Sequence, residues 1–316
     1  MMPHGNAIGF GLMLGVLARV AMLRSDHRQY PTYPHGYTTH LFLGVIASLA
    51  GAVAVAALIA GEWTAVTFFL LVAEQFRGIR GMERDSLKAL EDDELVTRGS
   101  EYIEDIARVF ETRYYAVIFV AAAGTLGYEF ESVWSGLAFA LIAFGLGVAL
   151  MQRERLGDTV DVRVAKVRVD GADVWVDEVF IFNVGLNKSK DFIEKYAIGA
   201  VLSPKTETGR DTLANRGQRQ AILHDATGIL GVRKDSDTPE FTPLAKRDLE
   251  TGNVGVYFVP MDKDEEALVK LLSRSIVLES ARGKSMRRRV GRGGLAEMKP
   301  AGAPPGQGSG GGSEQE

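Results

Sequence analysis

Two short polar stretches in the second half of the chain carry side chains that could do covalent chemistry. In the first, "LSPKTETG", Ser203 lies close to Lys205, and a serine nucleophile with a lysine base is one known catalytic arrangement. Neighbouring positions in a loop are no evidence that the two side chains face each other. The spacing of a phosphate-binding loop is also missing. Ser203 and Lys205 are therefore weak catalytic candidates.

The second stretch, "HDATG", places His224 beside Asp225. It resembles the Asp-Thr-Gly of aspartic proteases, but an alanine follows the aspartate, and the segment is predicted to be helical. Adjacent residues of a helix point to different faces, so the pair is no ready acid–base site. His224 and Asp225 are weak catalytic candidates too. No motif specifies an enzyme, and whether the chain is one stays open.

We predict no metal site and no cofactor. The chain has no cysteine, which excludes disulfides, thiolate metal sites and cysteine nucleophiles. The spacing of His27, His35 and His40 fits no standard metal site. Acidic residues after "HDATG" could join His224 and Asp225 around a cation, but a solvated polar face followed by an acidic loop is the favoured interpretation. These acidic residues are Asp235, Asp237 and Glu240.

The elements that must position these side chains fall into two halves of different composition. The 316 residues have a formal net charge of −4 and a mean hydropathy of +0.03. This hydropathy is high for a chain with 24% charged residues, and it arises because apolar residues are concentrated before Arg153. The nearly balanced charge gives no reason to expect a nucleic-acid partner.

Five apolar segments predict an α-helical polytopic membrane domain over residues 1–151. Their approximate limits are 8–23, 39–60, 63–78, 114–128 and 133–151. A membrane span needs about 20 mostly apolar residues. The second and fifth segments fit best, and the third could be a re-entrant or interfacial helix instead. Arg19 lies near the inner end of the first segment, so we expect its side chain to reach the membrane interface.

The charges between these segments predict their orientation. Lys and Arg follow the first, third and fifth segments and precede the fourth, whereas the N-terminal "MMPHGNA" and the connections "GEW" and "YEFES" have none. Five spans with the N-terminus outside place every basic loop in the cytosol. We therefore predict a multi-pass protein of the cell membrane, in contact with the lipid bilayer, with its C-terminal half in the cytosol.

Residues 152–282 are predicted to form a small cytosolic α+β domain. "VDVRVAKVRVDGADVWVDEVFIF" alternates apolar and polar residues, with one slip near Ala165 and a turn at Asp170 and Gly171, which is the pattern of a β-hairpin. Further strands and helices follow, and "SPKTETGRDT" is predicted to be a loop. Residues 283–316 are first basic and then rich in Gly, Pro and Ser, which predicts a disordered tail.

The stretch "SEYIEDIARVFETRYY", in the predicted cytosolic loop 79–113, has the pattern of an amphipathic helix. Five residues form an apolar stripe on one face: Tyr102, Ile103, Ile106, Val109 and Phe110. The stretch is acidic overall, which argues against plain attraction to anionic lipid. We expect the apolar stripe to bind the protein's own cytosolic domain or the inner ends of the spans. A generic interfacial helix is the alternative.

"YIEDIA", residues 102–107, closely resembles the signature of the YIEGIA family of membrane proteins from endospore-forming bacteria. "LRSDHRQYPTYPHGY", "EQFRGIRGMER" and "GQRQAILHDATGILGVRKDSDTPEFTPLAKRD" resemble that family as well, and the resemblance covers most of residues 5–280. Asp105 stands where the signature has Gly. The resemblance implies sporulation and a membrane location, and it implies no catalytic residue set.

These observations predict a sporulation-associated integral membrane protein with a regulatory or scaffolding role, whose cytosolic domain binds a protein partner. The alternative is a membrane-tethered enzyme, in the first instance a protease that acts on sporulation regulatory proteins. A pocket that joined Ser203, Lys205, His224 and Asp225 would favour the enzyme. An exposed apolar groove would favour partner binding.

Overall fold

Five long helices form the first half of the chain. The computed structural model describes residues 4–26, 34–92, 94–234 and 237–282. The helices are α1 (Gly5–Asp26), α2 (Pro34–Ala60), α3 (Trp63–Glu91), α4 (Ser100–Phe130) and α5 (Val133–Leu150). Within the described residues, three of them are long and apolar enough to cross a membrane: α1, α2 and α5. They correspond to the first, second and fifth predicted segments.

The third and fourth predicted segments are parts of longer helices. α3 runs on from residues 63–78 into a charged stretch, and the charged stretch that opens α4 runs on into residues 114–128. These charges are why α3 and α4 do not qualify as spans on hydropathy. The predicted loop 79–113 is therefore mostly helical, and only residues 92–99 connect the two helices.

α4 contacts α1, α2, α3 and α5, so the other four helices pack around it. Glycines of α1 allow two close approaches within the bundle, one to α4 and one to α2. A Cβ at Gly11 would lie 2.0 Å from Thr125 Oγ1, and a Cβ at Gly15 would lie 2.5 Å from Ser48 Oγ. Both distances are far below van der Waals contact, so larger side chains at these positions would push the helices apart.

The second half is a mixed α/β region with two small sheets. Its strands are β1 (Val160–Ala165), β2 (Val167–Asp170), β3 (Asp173–Val176), β4 (Val179–Asn183), β5 (Ile198–Pro204), β6 (Leu244–Arg247) and β7 (Val254–Phe258). Its helices are α6 (Leu156–Thr159), α7 (Asn187–Tyr196), α8 (Glu207–Ala214), α9 (Arg216–Leu230), α10 (Glu265–Arg274) and α11 (Glu279–Arg282), with a 3₁₀ turn at Pro239–Phe241. One antiparallel sheet has the order β1-β5-β7-β6 and the other β2-β3-β4.

The alternating stretch that predicted a hairpin contributes to both sheets. Gly171, with φ at +62°, lies in the turn between β2 and β3, where the sequence predicts a turn. β1, however, pairs with β5. The chain changes sheets at Lys166, beside the slip near Ala165. A shift of one residue turns every following side chain to the other face of a strand, and here it sends the chain into a second sheet.

The prediction that "SPKTETGRDT" forms a loop is wrong for most of these residues. Ser203 and Pro204 end β5, and α8 begins after Thr206. The Thr206 hydroxyl accepts a hydrogen bond of 3.0 Å from the backbone N–H of Gly209. A threonine in this position satisfies one of the free N–H groups of a helix start and favours the helix over a loop.

Apolar cores lie on both faces of the four-stranded sheet, because residues alternate along its strands. In β5, Val201 belongs to the core shared with the three-stranded sheet and α7. Its neighbours Ala200 and Leu202 belong to the core shared with α8, α9, α10 and α11. This second core also contains Leu87 of α3 and Ile106 of α4. The helical half thus contributes side chains to the core of the α/β region.

Candidate functional site

The candidate site is the first part of α4, which carries the "YIEDIA" residues. Gly99, with φ at +84°, precedes the helix. The carboxylate of Glu91, at the end of α3, accepts hydrogen bonds from the backbone N–H groups of Arg98 and Gly99. The end of α3 thereby fixes the start of α4 and sets its direction.

The apolar stripe of α4 packs on the α/β region. Tyr102, Ile103, Ile106 and Phe110 are all buried in the core that also contains the apolar side chains of α9. The fifth member, Val109, is only partly buried. Full burial of an aliphatic or aromatic side chain contributes about 1.5–3 kcal/mol. The stripe therefore supplies a substantial part of the contact between the two halves.

The hydroxyl of Tyr102 donates a hydrogen bond to Asp225 on α9, with Oη 2.9 Å from Oδ1. The ring of His224 stands edge-on to the Tyr102 ring at 6.1 Å between centres, and its Nδ1 lies 2.9 Å from the carbonyl oxygen of Val96. Burial raises the pKa of the Asp225 carboxyl, and the Tyr102 hydrogen bond opposes part of that rise. Burial, followed by the Asp225 charge, raises the pKa of Tyr102.

Asp105, which replaces the Gly of the family signature, connects α4 with two later segments of the chain. Its carboxylate pairs with Arg153 in the connection after α5. It also accepts a hydrogen bond of 3.3 Å from the backbone N–H of Glu279, at the start of α11. Asp105 is only 5% exposed, and a buried carboxylate needs such partners. Glycine could make neither contact.

Three further polar residues of α4, which we call the signature helix because it carries "YIEDIA", also have partners on other elements. Glu104 pairs with Arg80 of α3, and Arg108 pairs with Glu279 of α11. Glu101 accepts hydrogen bonds from Asn215 Nδ2 at 2.9 Å and from Ser280 Oγ at 2.6 Å. The polar face of this helix is therefore an interface as well, with α3 on one side and the α/β region on the other.

The four catalytic candidates do not form one site. His224 and Asp225 face the signature helix. Ser203 pairs with Asp161 across the β1–β5 ladder, and Lys205 Nζ donates a hydrogen bond of 2.9 Å to the carbonyl oxygen of Gly157. His224 and Asp225 thus lie in different surroundings from Ser203 and Lys205. Two clefts on the described surface, one beside Glu101 and Glu104 and one beside Arg219 and Lys246, include none of the four in their lining.

The residues considered for a metal site are also dispersed. Glu240 accepts a hydrogen bond of 2.6 Å from Ser189 Oγ. The side chains of His27, His35 and Asp235 lie outside the described part of the structure. Over the described residues, no group of three or more His, Asp or Glu side chains is arranged to hold a metal ion.

Sequence reasoning missed a buried polar cluster inside the helical half. Arg19, which was expected to reach the membrane interface, is enclosed by the bundle: it is 0% exposed, and its guanidinium lies 4.9 Å from the centre of the Tyr114 ring. His40 Nδ1 lies 2.7 Å from the Tyr114 hydroxyl, and His40 Nε2 lies 3.7 Å from Glu83. The His40 ring stacks on Phe110 at 4.7 Å. Phe110 thus joins this cluster to the apolar stripe.

The fold and site together define a class of protein: an apolar helical bundle whose central helix extends into the core of an adjoining α/β region. Comparison with known proteins specifies the family. The family model of the YIEGIA protein matches residues 7–288. The chain is also 44% identical, over 271 residues, to the uncharacterized protein YphB of Bacillus subtilis strain 168, with 86% of this chain and 91% of that protein covered. The chain belongs to the YIEGIA family. No solved structure matches it.

Proposed function

We propose that the protein is a multi-pass membrane protein with five crossings, in which the N-terminus is outside and residues 152–282 are cytosolic. Three helices with the length and composition of spans support the membrane location. The positive-inside rule supports the orientation, because Lys and Arg are absent from the connections 61–62 and 131–132. The apolar parts of α3 and α4 would be the two further crossings.

Reporter fusions test this topology. A reporter placed after Met151 and one placed at Ser132, between α4 and α5, should report opposite sides of the membrane. The fusion after Met151 should be cytosolic. If both fusions report the same side, the five-crossing arrangement is wrong.

We infer further that the protein has a regulatory or scaffolding role in sporulation and that its α/β region binds a protein partner. The family resemblance supplies the link to sporulation. One observation carries the regulatory role: the signature helix is a single element shared by the helical bundle and the α/β core, through buried residues such as Ile106 and Phe110. A change in the bundle would thus be transmitted directly to the partner-binding half.

Ile106→Glu tests this role. Ile106 is 1% exposed, and an unpaired carboxylate at a buried apolar position is strongly unfavourable. The variant should stop sporulation in a complementation assay while the protein remains in the membrane fraction. Thr112→Glu places the same charge at an exposed position of the same helix and should be mild. If Ile106→Glu is silent, or if both variants are equally severe, coupling through this helix is refuted.

One observation favours a second candidate function, a membrane-tethered protease. The Asp225 carboxyl has a raised pKa and lies beside His224 and Tyr102. Such carboxyls are enriched at catalytic sites. If Asp225 is catalytic, Asp225→Asn should abolish function at a normal protein level. Asp262→Asn, the same substitution at an exposed position, serves as the control. Full function of the Asp225 variant would exclude this candidate.

A further inference from the structure

A cleft of about 490 Å³ between β4, β6 and the first turn of α9 lies apart from the signature helix. Three cationic side chains contribute to its lining: Arg219, Lys246 and Arg247. The same cleft is bordered by Leu244 and Leu249, whose side chains are 37% and 83% exposed. It therefore combines concentrated positive charge with accessible apolar surface.

The positive charge of the cleft is not neutralised by the residues around it. The lining residues that the structure describes include no carboxylate. Burial, followed by repulsion from Arg247 and Arg216, lowers the pKa of Arg219. Asp248, next to Arg247 in the chain, accepts hydrogen bonds within its own turn, from Thr251 Oγ1 at 2.5 Å and from the Glu250 N–H at 3.1 Å. The cleft is therefore suited to bind an anion.

The cationic side chains are fixed in position and keep donors for a ligand. Lys246 Nζ donates to the carbonyl oxygen of Ile181 at 3.0 Å and lies 4.0 Å from the centre of the Phe180 ring. One guanidinium nitrogen of Arg219 donates to backbone carbonyls at the end of α8. Arg247 Nε is buried and has no hydrogen-bond partner among the described residues. Guanidinium groups have five N–H donors, so several remain available.

The unpaired edge of β6 also lies along the cleft. β6 pairs with β7 on one side, and no described strand pairs with its other side. An edge strand presents unpaired N–H and C=O groups, which an extended peptide can use by adding a strand. Peptide addition uses the backbone edge, the cations and the exposed leucines together. An anionic lipid head group would use only the cations.

We propose that this cleft binds an extended acidic segment of the partner protein, which adds a strand to β6. The proposal rests on the proposed function, because it takes the α/β region to be the partner-binding half. Because side chains alternate along a strand, acidic side chains of the segment would meet Arg219 and Arg247 on the α9 side of β6, and its apolar side chains would cover Leu244 on the other side.

Binding can be measured with the purified full chain in nanodiscs of neutral lipid. The probe is a short fluorescent peptide of alternating valine and glutamate. A first comparison peptide has lysine in place of glutamate, and a second has N-methyl groups on alternate backbone nitrogens, which block strand addition. Vesicles of phosphatidylglycerol, compared with phosphatidylcholine, test the lipid surface as the occupant.

We expect the valine–glutamate peptide to bind and both comparison peptides to bind at least about tenfold more weakly. Lys246→Gln combined with Arg247→Gln should weaken binding by about tenfold. Leu249→Glu, at an exposed position, should weaken it without affecting folding, and a thermal melt checks that each variant is folded. Lys270→Glu, an exposed charge reversal on α10, should leave binding unchanged.

Several outcomes would overturn the acidic-strand proposal: equal binding of the lysine peptide, unchanged binding after N-methylation, insensitivity to Leu249→Glu, or binding of phosphatidylglycerol vesicles alone. These results are separate from the test of the proposed function. Absent peptide binding together with a severe Ile106→Glu phenotype removes only the β6 site. Peptide binding together with a silent Ile106→Glu removes only the coupling role.

Discussion

The hydroxyl of Tyr102 donates a hydrogen bond of 2.9 Å to the carboxylate of Asp225, although 123 positions separate the two residues in the chain. This bond joins the first residue of the "YIEDIA" signature to the "HDATG" stretch. Two motifs that look independent in the sequence are therefore halves of one contact between α4 and α9.

Removing this hydrogen bond should destabilise the protein. Tyr102→Phe keeps the buried ring but leaves the Asp225 carboxylate without its donor, at a cost of about 1–3 kcal/mol. A lower midpoint of thermal unfolding of the purified chain would show the loss. Tyr115→Phe, which removes a longer hydrogen bond of 3.3 Å to Glu111 on the same helix, should have a smaller effect. Equal midpoints for the two variants would show that the Tyr102–Asp225 hydrogen bond does not stabilise the protein more than the Tyr115–Glu111 bond.

The titration of Asp225 should make stability depend on pH. Burial raises the pKa of its carboxyl above the ordinary value of 3.8, so the folded chain binds this proton more tightly than the unfolded chain. Stability from this group is present below pH 3.8 and is lost as the pH rises through the raised pKa. Asp225→Asn removes this loss while keeping an acceptor for Tyr102. In urea unfolding, the variant should gain stability over wild type across that interval. A constant difference in the free energy of unfolding between the variant and wild type at all pH values would argue against a raised pKa of Asp225.

The Asp105–Arg153 pair should show energetic coupling. Asp105→Gly, which introduces the residue of the family signature, should cost about 2 kcal/mol, because it removes a paired carboxylate and the acceptor of the Glu279 N–H. Arg153→Met should cost at least as much, because it leaves the buried Asp105 carboxylate without its cation. The double variant should lose less than the two single losses added together, by about 0.5–3 kcal/mol. Strict additivity in a double-mutant cycle would show that the pair contributes nothing.

Close helix contact at Gly11 gives a matched pair of variants. Gly11→Leu must displace α4, because even a Cβ would lie 2.0 Å from Thr125 Oγ1, whereas a Cβ at Gly9 would meet no atom of another described element within 4 Å. Gly11→Leu should therefore lower the yield of folded protein and its melting temperature in detergent, and Gly9→Leu should not. Similar behaviour of both variants would mean that α1 does not pack on α4 in this way.

Patterns that depend on local periodicity were readable from the sequence. The period of a helix predicts the apolar stripe, and four of its five residues are buried. Val109 is only partly buried, because a wheel gives the side of the helix but not the width of the surface that covers it. In the same way, Asp170 and Gly171 identify the β2–β3 turn, because a turn is specified by adjacent residues.

Features that depend on partners distant in the chain were not readable. The slip near Ala165 has the same appearance whether the strand is bulged or changes sheets, because the difference lies in its pairing with β5. Arg19 looks like a residue able to reach the interface, because its neighbours in the chain do not reveal Tyr114. The one signal available was a polar residue in each of several adjacent helices, such as His40 and Glu83.

The continuous helix α4, 31 residues long, has a consequence for how the protein is made. Ribosomes complete α4 before any of the α/β region, so in the proposed five-crossing topology the membrane insertion machinery handles the helix while the surface that will cover Ile103 and Ile106 does not yet exist. The later segment must then fold on a template already anchored beside the bilayer. A chain whose insertion fails would leave the matching surface of α9 uncovered, which would mark it for cellular proteases. In that topology, survival of the α/β region would depend on correct insertion of α4.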